Sequence, residues 1–206
     1  MRVRTYLITV LFVLFTFGSL ATAQGRGNNK LKAGSPAPGI NVEEWIKGEF
    51  NQADAEVYVV DFWATWCQPC IKSIPHLKAL QEEYELDGLK IVGISTDTDD
   101  NNGTALEKVQ NEVRKQGINM NYIVGLDNRR RTQRAWMKAA GLDGIPSAFI
   151  VDRNGTIQWI GNPLDPDDKF DIYLAKIMSG RYDVNKMKEV RDSKDAAEKL
   201  RSGNSW

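Results

Sequence analysis

The chain has 206 residues, enough for one compact domain with extensions, and 42% of them are hydrophobic. Lys plus Arg equals Asp plus Glu, 27 of each. That balance gives none of the basic excess that nucleic-acid binding needs.

The first segment reads as a leader. Arg2 and Arg4 make a basic start, an apolar run extends from Tyr6 to Leu20, and Ala21-Thr22-Ala23 follows. That is the layout of a secretory signal peptide over residues 1–23, with Gln24 first after cleavage. The alternative is an uncleaved N-terminal anchor, for which the apolar run is marginal in length. Either reading puts the folded part outside the cytoplasm, in the periplasm or at the exterior of the cell envelope. No Cys lies near the cleavage site, so a lipid-modified cysteine is excluded there.

Residues 24–32, rich in Gly, Asn and basic side chains, read as a flexible spacer. A domain is expected over 33–180, opened by the turn-rich Ala33-Gly34-Ser35-Pro36-Ala37-Pro38. Residues 56–63 are a β-branched and aromatic run that predicts a buried strand. From Gln68 to Tyr84, Ile71, Ile74, Leu77, Leu80 and Tyr84 recur at helical spacing, with Pro75 inside. Residues 89–95 predict a second buried strand, and 105–116 an amphipathic helix stopped by Gly117. A short strand at 122–125 and a helix over 129–140, stopped by Gly141, come next. Gly144-Ile145-Pro146 is a tight turn. Strands over 147–152 and 156–161 are joined by the hairpin turn Arg153-Asn154-Gly155. A last helix is expected at about 168–179. Residues 181–206 are a charged tail, read as a solvated helix or an unstructured segment.

Alternating strands and helices predict an α/β fold. Its sheet is mixed, mainly parallel, with helices on both faces and the hairpin as an antiparallel edge.

The chemistry rests on the two cysteines, Cys67 and Cys70, in Cys67-Gln68-Pro69-Cys70. A disulfide that braces a fold closes a long loop, because that removes the most chain entropy. A ring of four residues removes little, so the pair reads as a redox centre. A structural zinc site normally takes four ligands, and two Cys with the single histidine, His76, fall short. Cys67 falls at the mouth of the first helix, where free N–H groups and the helix dipole favour a thiolate. Sites of this kind move a cysteine from about 8.5 to about 7 or lower. Cys67 is therefore the expected nucleophile and the more buried Cys70 the resolving thiol. Pro69 restricts the backbone between them and is tolerated in a first helical turn.

The run Val60-Asp61-Phe62-Trp63-Ala64-Thr65-Trp66-Cys67-Gln68-Pro69-Cys70, with Pro75 and the distant Gly144-Ile145-Pro146-Ser147, resembles the thioredoxin superfamily. The leader, the opening at 34–38 and the extra helix at 105–116 make the chain most similar to its TlpA/ResA-like exported thiol–disulfide oxidoreductases. The resemblance covers roughly residues 33–179 and implies a thioredoxin-like three-layer sandwich. It places Pro146 as the cis-proline facing the cysteines and Ile145 beside a substrate groove. Trp66, Gln68, Pro69, Ile145 and Pro146 are then the substrate-facing residues, with Trp66 packing beside the disulfide. Asp61 takes the place of a buried acid beneath the pair. Desolvation raises such a carboxyl, which suits it to deprotonate Cys70. Trp63 and Trp136 are expected in the core, and His76 on or near the surface.

The resemblance implies no cofactor beyond the Cys67–Cys70 disulfide and no metal. Its partners would be cysteine-containing exported proteins and, for a reductase, a membrane thiol protein as electron donor. Pro69 stands where thioredoxin-like reductants carry proline, which favours reduction. Three other readings are weighed. A thiol peroxidase of the peroxiredoxin type resembles a Thr three residues before its reactive Cys, where Ala64 stands here. Sco-like copper delivery pairs two cysteines with three residues between them and a distant histidine, whereas here two residues intervene and no histidine follows His76. The third is a redox-inert binding module.

Overall fold

The computed structural model describes residues 30–101 and 103–201, the side chains of 197–201 excepted. The expected leader, residues 1–23, and most of the expected spacer, 24–32, lie outside the described residues. No helix among the described residues is long and apolar enough to cross a membrane.

The strands are β1 (Glu44–Lys47), β2 (Val57–Trp63), β3 (Leu89–Ser95), β4 (Ile123–Leu126), β5 (Ser147–Asp152) and β6 (Ile157–Gly161). The helices are α1 (Gln68–Tyr84), α2 (Ala105–Gln116), α3 (Arg131–Gln133, widening into a π-helical turn over Arg134–Lys138), α4 (Phe170–Met178) and α5 (Val184–Arg201). The six strands form one sheet in the order β1-β4-β3-β2-β5-β6. β2, β3 and β4 run parallel, while β5, β6 and the edge strand β1 are antiparallel to their neighbours.

Side chains alternate across β2, and this splits the core in two. Val57, Val59 and Trp63 join Cys70, Ile74 and Leu77 of α1, Val109 of α2 and Leu174 of α4 on one face. Tyr58, Val60 and Phe62 pack with Trp136, Met137 and Phe149 on the other. Trp136 is fully buried, and its indole N–H donates to the Gly39 carbonyl at 3.3 Å. The chain is therefore the expected three-layer α/β sandwich with a mixed sheet.

Local chemistry explains the element ends. α2 opens with a capping box, in which Thr104 Oγ1 accepts from Glu107 N and Glu107 accepts from Thr104 N. The β5–β6 hairpin turns at Gly155, whose φ of 72° favours glycine, while Asp152 Oδ1 accepts from Asn154 N and Thr156 N. The structure differs from expectation in two places. β1 is an added edge strand, whose short, charged sequence has little β signature. The helix expected from Arg129 starts at Arg131, because the Asp127 carboxylate accepts the N–H groups of Arg131 and Gln133. The charged tail takes the solvated-helix alternative as α5, whose described side chains are largely exposed.

Candidate active site at the mouth of the first helix

The parallel strands β2, β3 and β4 end at the same edge of the sheet, and antiparallel β5 begins there. Four segments meet at this edge: 64–70 after β2, 96–101 after β3, the turn after β4, and Gly144-Ile145-Pro146 before β5. Residues far apart in sequence become neighbours for that reason alone.

Cys67 and Cys70 are joined by a disulfide, with their Cα atoms 5.2 Å apart. Cys67 is the N-cap of α1, and its Sγ accepts from Cys70 N at 3.3 Å. Sulfur here occupies the place that a Ser or Asp oxygen takes at an ordinary helix start. A thiolate at this position would meet the N–H groups and the positive end of the helix dipole. Gln68 and Pro69, the first helical residues, are exposed. Both sulfur residues are buried, Cys67 at 5% and Cys70 at 1% exposure, so Cys67 is the one nearer to solvent. Ser73 Oγ donates to the Cys70 carbonyl at 2.7 Å and steadies that turn.

Opposite the sulfurs, the Ile145–Pro146 peptide is cis, and the Ile145 carbonyl oxygen lies 3.8 Å from Cys67 Sγ. Ser147 Oγ donates to the Gly144 carbonyl at 2.7 Å and ties the loop to the start of β5. Trp66 stands 69% exposed beside this edge, whereas Trp63 is at 1%. Of the expected substrate-facing residues, Trp66, Gln68 and Pro69 adjoin Cys67 along the chain, and Ile145, followed by the cis Pro146, reaches its sulfur through the carbonyl oxygen.

Asp61 lies on the β2 face turned toward α1, at 1% exposure. Burial pushes its carboxyl up from 3.8 to about 7. Among the described residues its Oδ1 has no hydrogen-bond partner. His76 sits apart from the sulfurs, half-exposed on α1, with Nε2 2.9 Å from Asp171 Oδ1 on α4. No group of three or more His, Cys, Asp or Glu among the described residues is arranged to hold a metal ion.

Sequence reading passed over one residue that shapes this edge. Asp97, at 1% exposure, receives Thr65 N at 2.9 Å, Thr65 Oγ1 at 2.6 Å and Ser95 Oγ at 2.8 Å. It clamps the segment that leads into Trp66 and Cys67 to the end of β3. Its only sequence signal is its place directly after a buried strand, inside a run of aspartates. Replacing Asp97 with Ala would leave donors around Thr65 and Ser95 unpaired. The expected cost is about 2–3 kcal/mol, read by urea unfolding, with slower disulfide exchange because the Trp66–Cys67 segment loses its anchor.

A solvent-side sulfur capping a helix, a partner sulfur behind it and a cis-proline loop across from both can exchange one disulfide for another. On this fold that chemistry defines a thiol–disulfide oxidoreductase of the thioredoxin type. The chain belongs to the AhpC/TSA family, which it matches over residues 33–160. It is 32% identical over 152 residues to the thiol:disulfide interchange protein HelX of Rhodobacter capsulatus, covering 69% of this chain and 77% of that one. It is 25% identical over 185 residues to the thiol-disulfide oxidoreductase ResA of Bacillus anthracis, covering 86% of this chain and 99% of the relative. Among solved structures, a thioredoxin-family thiol:disulfide interchange protein from Chlorobium tepidum superposes with a TM-score of 0.56 at 28% identity. That match spans 72% of this chain and 98% of the other.

Proposed function

We propose that this oxidoreductase reduces disulfides of cysteine-containing exported proteins, with Cys67 as nucleophile, Cys70 as resolving thiol and Asp61 as the proton acceptor for Cys70. The observation that carries the reading is the position of Cys67 Sγ. It caps α1, 3.3 Å from Cys70 N, and faces the cis-proline loop.

In the reduced protein the Cys67 thiolate attacks one sulfur of the substrate disulfide. A Cys67–substrate S–S bond forms, the substrate S–S bond breaks, and the leaving substrate sulfur takes a proton from solvent. Cys70 then gives its proton to the Asp61 carboxylate, and its thiolate attacks Cys67 Sγ. The Cys67–Cys70 bond forms, and the second substrate sulfur departs as a thiolate and is protonated. Two electrons have passed to the substrate, and the oxidised pair is the state described here. Trp66, Gln68, Pro69, Ile145 and Pro146 form the docking surface, and the Ile145–Pro146 segment offers backbone groups to an extended substrate strand. The Cys67–Cys70 dithiol itself supplies the two electrons and ends as the disulfide, so the cycle calls for no other cofactor.

Restoring the dithiol takes an external thiol donor. The leader at residues 1–23 supports work outside the cytoplasm, where a membrane thiol protein would fill that role. The domain would then run over 33–180, with 24–32 as spacer and 181–206 as tail. Pro69 supports the reducing direction.

The direction of electron flow is tested by titrating the Cys67–Cys70 couple against glutathione and dithiothreitol buffers. A potential near −270 mV, the thioredoxin range, is expected. A value near −120 mV, at the strongly oxidising end, would overturn the reducing assignment while leaving the exchange chemistry intact.

A further inference from the structure

Three buried side-chain polar atoms have no hydrogen-bond partner among the described residues: Asp61 Oδ1, Trp63 Nε1 and the Tyr122 hydroxyl. Buried polar groups are nearly always paired, so three orphans gathered in one layer call for a common explanation. Asp61 and Trp63 share the α1-facing side of β2. Tyr122 enters the same layer from the residue before β4, at 5% exposure.

The backbone between them is bare. Gly93 is the β3 partner of Asp61 in register, and Ala148 is its partner on β5. A Cβ placed on Gly93 would stand 3.1 Å from Tyr122 Cε2 and 3.2 Å from Trp63 Nε1. Both rings therefore lean over a strand position that has no side chain, in register with Asp61. The Asp61 charge also reaches the Tyr122 phenol, which burial and that charge together hold well above its usual value.

The three groups complement one another chemically. The indole N–H only donates, the phenol donates or accepts, and the carboxyl accepts when ionised and donates when protonated. A tyrosine can thus serve Asp61 in both protonation states, as donor to the carboxylate and as acceptor for the acid. We propose that Tyr122 is a positioning residue for Asp61: its hydroxyl, with the Trp63 indole N–H, is the donor set that receives the ionised carboxylate over Gly93 and sets the pH at which Asp61 holds a proton. The proposal deepens the reading of Asp61 as proton acceptor for Cys70 and rests on it for its functional meaning. The coupling itself is measurable without that reaction.

Other titratable groups near this layer are few. α1 contributes Cys67 and Cys70, which carry no proton while joined. Toward Asp61, β3 presents Gly93 and Ser95, β5 presents Ala148, and α2 presents Ala105 and Val109, none of them charged. Asp97 lies beyond Ser95 and is engaged by Thr65 and Ser95. At its outer edge Tyr122 borders a surface groove carrying Lys47, Glu49, Asp54, Glu85 and Lys90.

The test is an infrared titration of the oxidised, full-length protein. The C=O stretch of protonated Asp61 is identified by its loss in Asp61→Asn. Tyr122→Phe keeps the ring and removes only the hydroxyl. The expected result is a rise of about one pH unit in the midpoint, a tenfold gain in proton affinity, because a hydrogen bond to the charged form is lost. Urea unfolding supplies the second readout. The stability of Tyr122→Phe relative to the parent should fall as pH rises through the Asp61 titration, and that pH dependence should vanish in the Asp61→Asn background. An unmoved or lowered midpoint overturns the proposal, as does a Tyr122→Phe stability change independent of pH. If instead Asp61→Asn leaves exchange kinetics unchanged while the infrared shift appears, the Asp61–Cys70 step fails and the Tyr122 coupling stands.

Discussion

Cys67→Ser reduces disulfide exchange to the uncatalysed background, a loss of about 10³-fold or more, as expected when a nucleophile is removed and only binding and environment remain. Serine keeps the helix cap, since its oxygen accepts the Cys70 N–H that Cys67 Sγ receives at 3.3 Å. The fold is therefore retained, and the loss reports chemistry alone. Cys70→Ser has a different signature. Cys67 still attacks, but nothing behind it releases the substrate, so a mixed disulfide accumulates and is trapped on a non-reducing gel. Turnover of an insulin-type substrate, measured beside circular dichroism, checks the pair. Full activity in Cys67→Ser would end the assignment of this site.

Asp61→Asn has the largest expected effect on stability, and its magnitude depends on pH. The carboxyl titrates near 3.8 in an unfolded chain and is pushed up to about 7 by burial in the fold. Well below pH 4 it is protonated in both states and costs nothing. As pH rises from 4 to 7 the unfolded chain releases the proton first, so stability falls until both states are ionised. A rise of about three units corresponds to about 4 kcal/mol. The asparagine variant, close in shape to the protonated acid, carries no such term. Its stability relative to the parent should be near zero at pH 4 and approach about 4 kcal/mol in its favour by pH 8.5. Urea unfolding of the oxidised proteins across that range measures it. In kinetics the same variant should slow release of the mixed disulfide between pH 6 and 9, where the parent carboxylate accepts the Cys70 proton. A gain in stability together with a loss in rate is what a buried group kept for function predicts.

Much of this was legible in the chain because its signals are local. The β-branched run before the cysteines, the three-and-four spacing of Ile71, Ile74, Leu77 and Leu80, and the Arg153-Asn154-Gly155 turn each express backbone preferences within a few residues. The helix-mouth position of Cys67 follows from the same local pattern, and so does the burial of Asp61 in an apolar strand. β1 escaped notice because an edge strand of four residues, two of them charged, is held by its pairing with β4 rather than by its own composition.

What tertiary structure alone decided are the contacts across the sheet. The Asp97 clamp joins Thr65 to a residue 32 positions away, through two hydrogen bonds. Nothing in either segment announces the other. Period-two alternation could place Asp61, Gly93 and Ala148 each on a strand face, but only the register makes them neighbours and leaves the carboxyl beside the Tyr122 and Trp63 rings. The sequence by itself determined which atoms can react, because reactivity at a Cys-x-x-Cys pair is set by the strand, turn and helix around it. The fold decided which distant groups surround those atoms, because strand order and register follow from global packing.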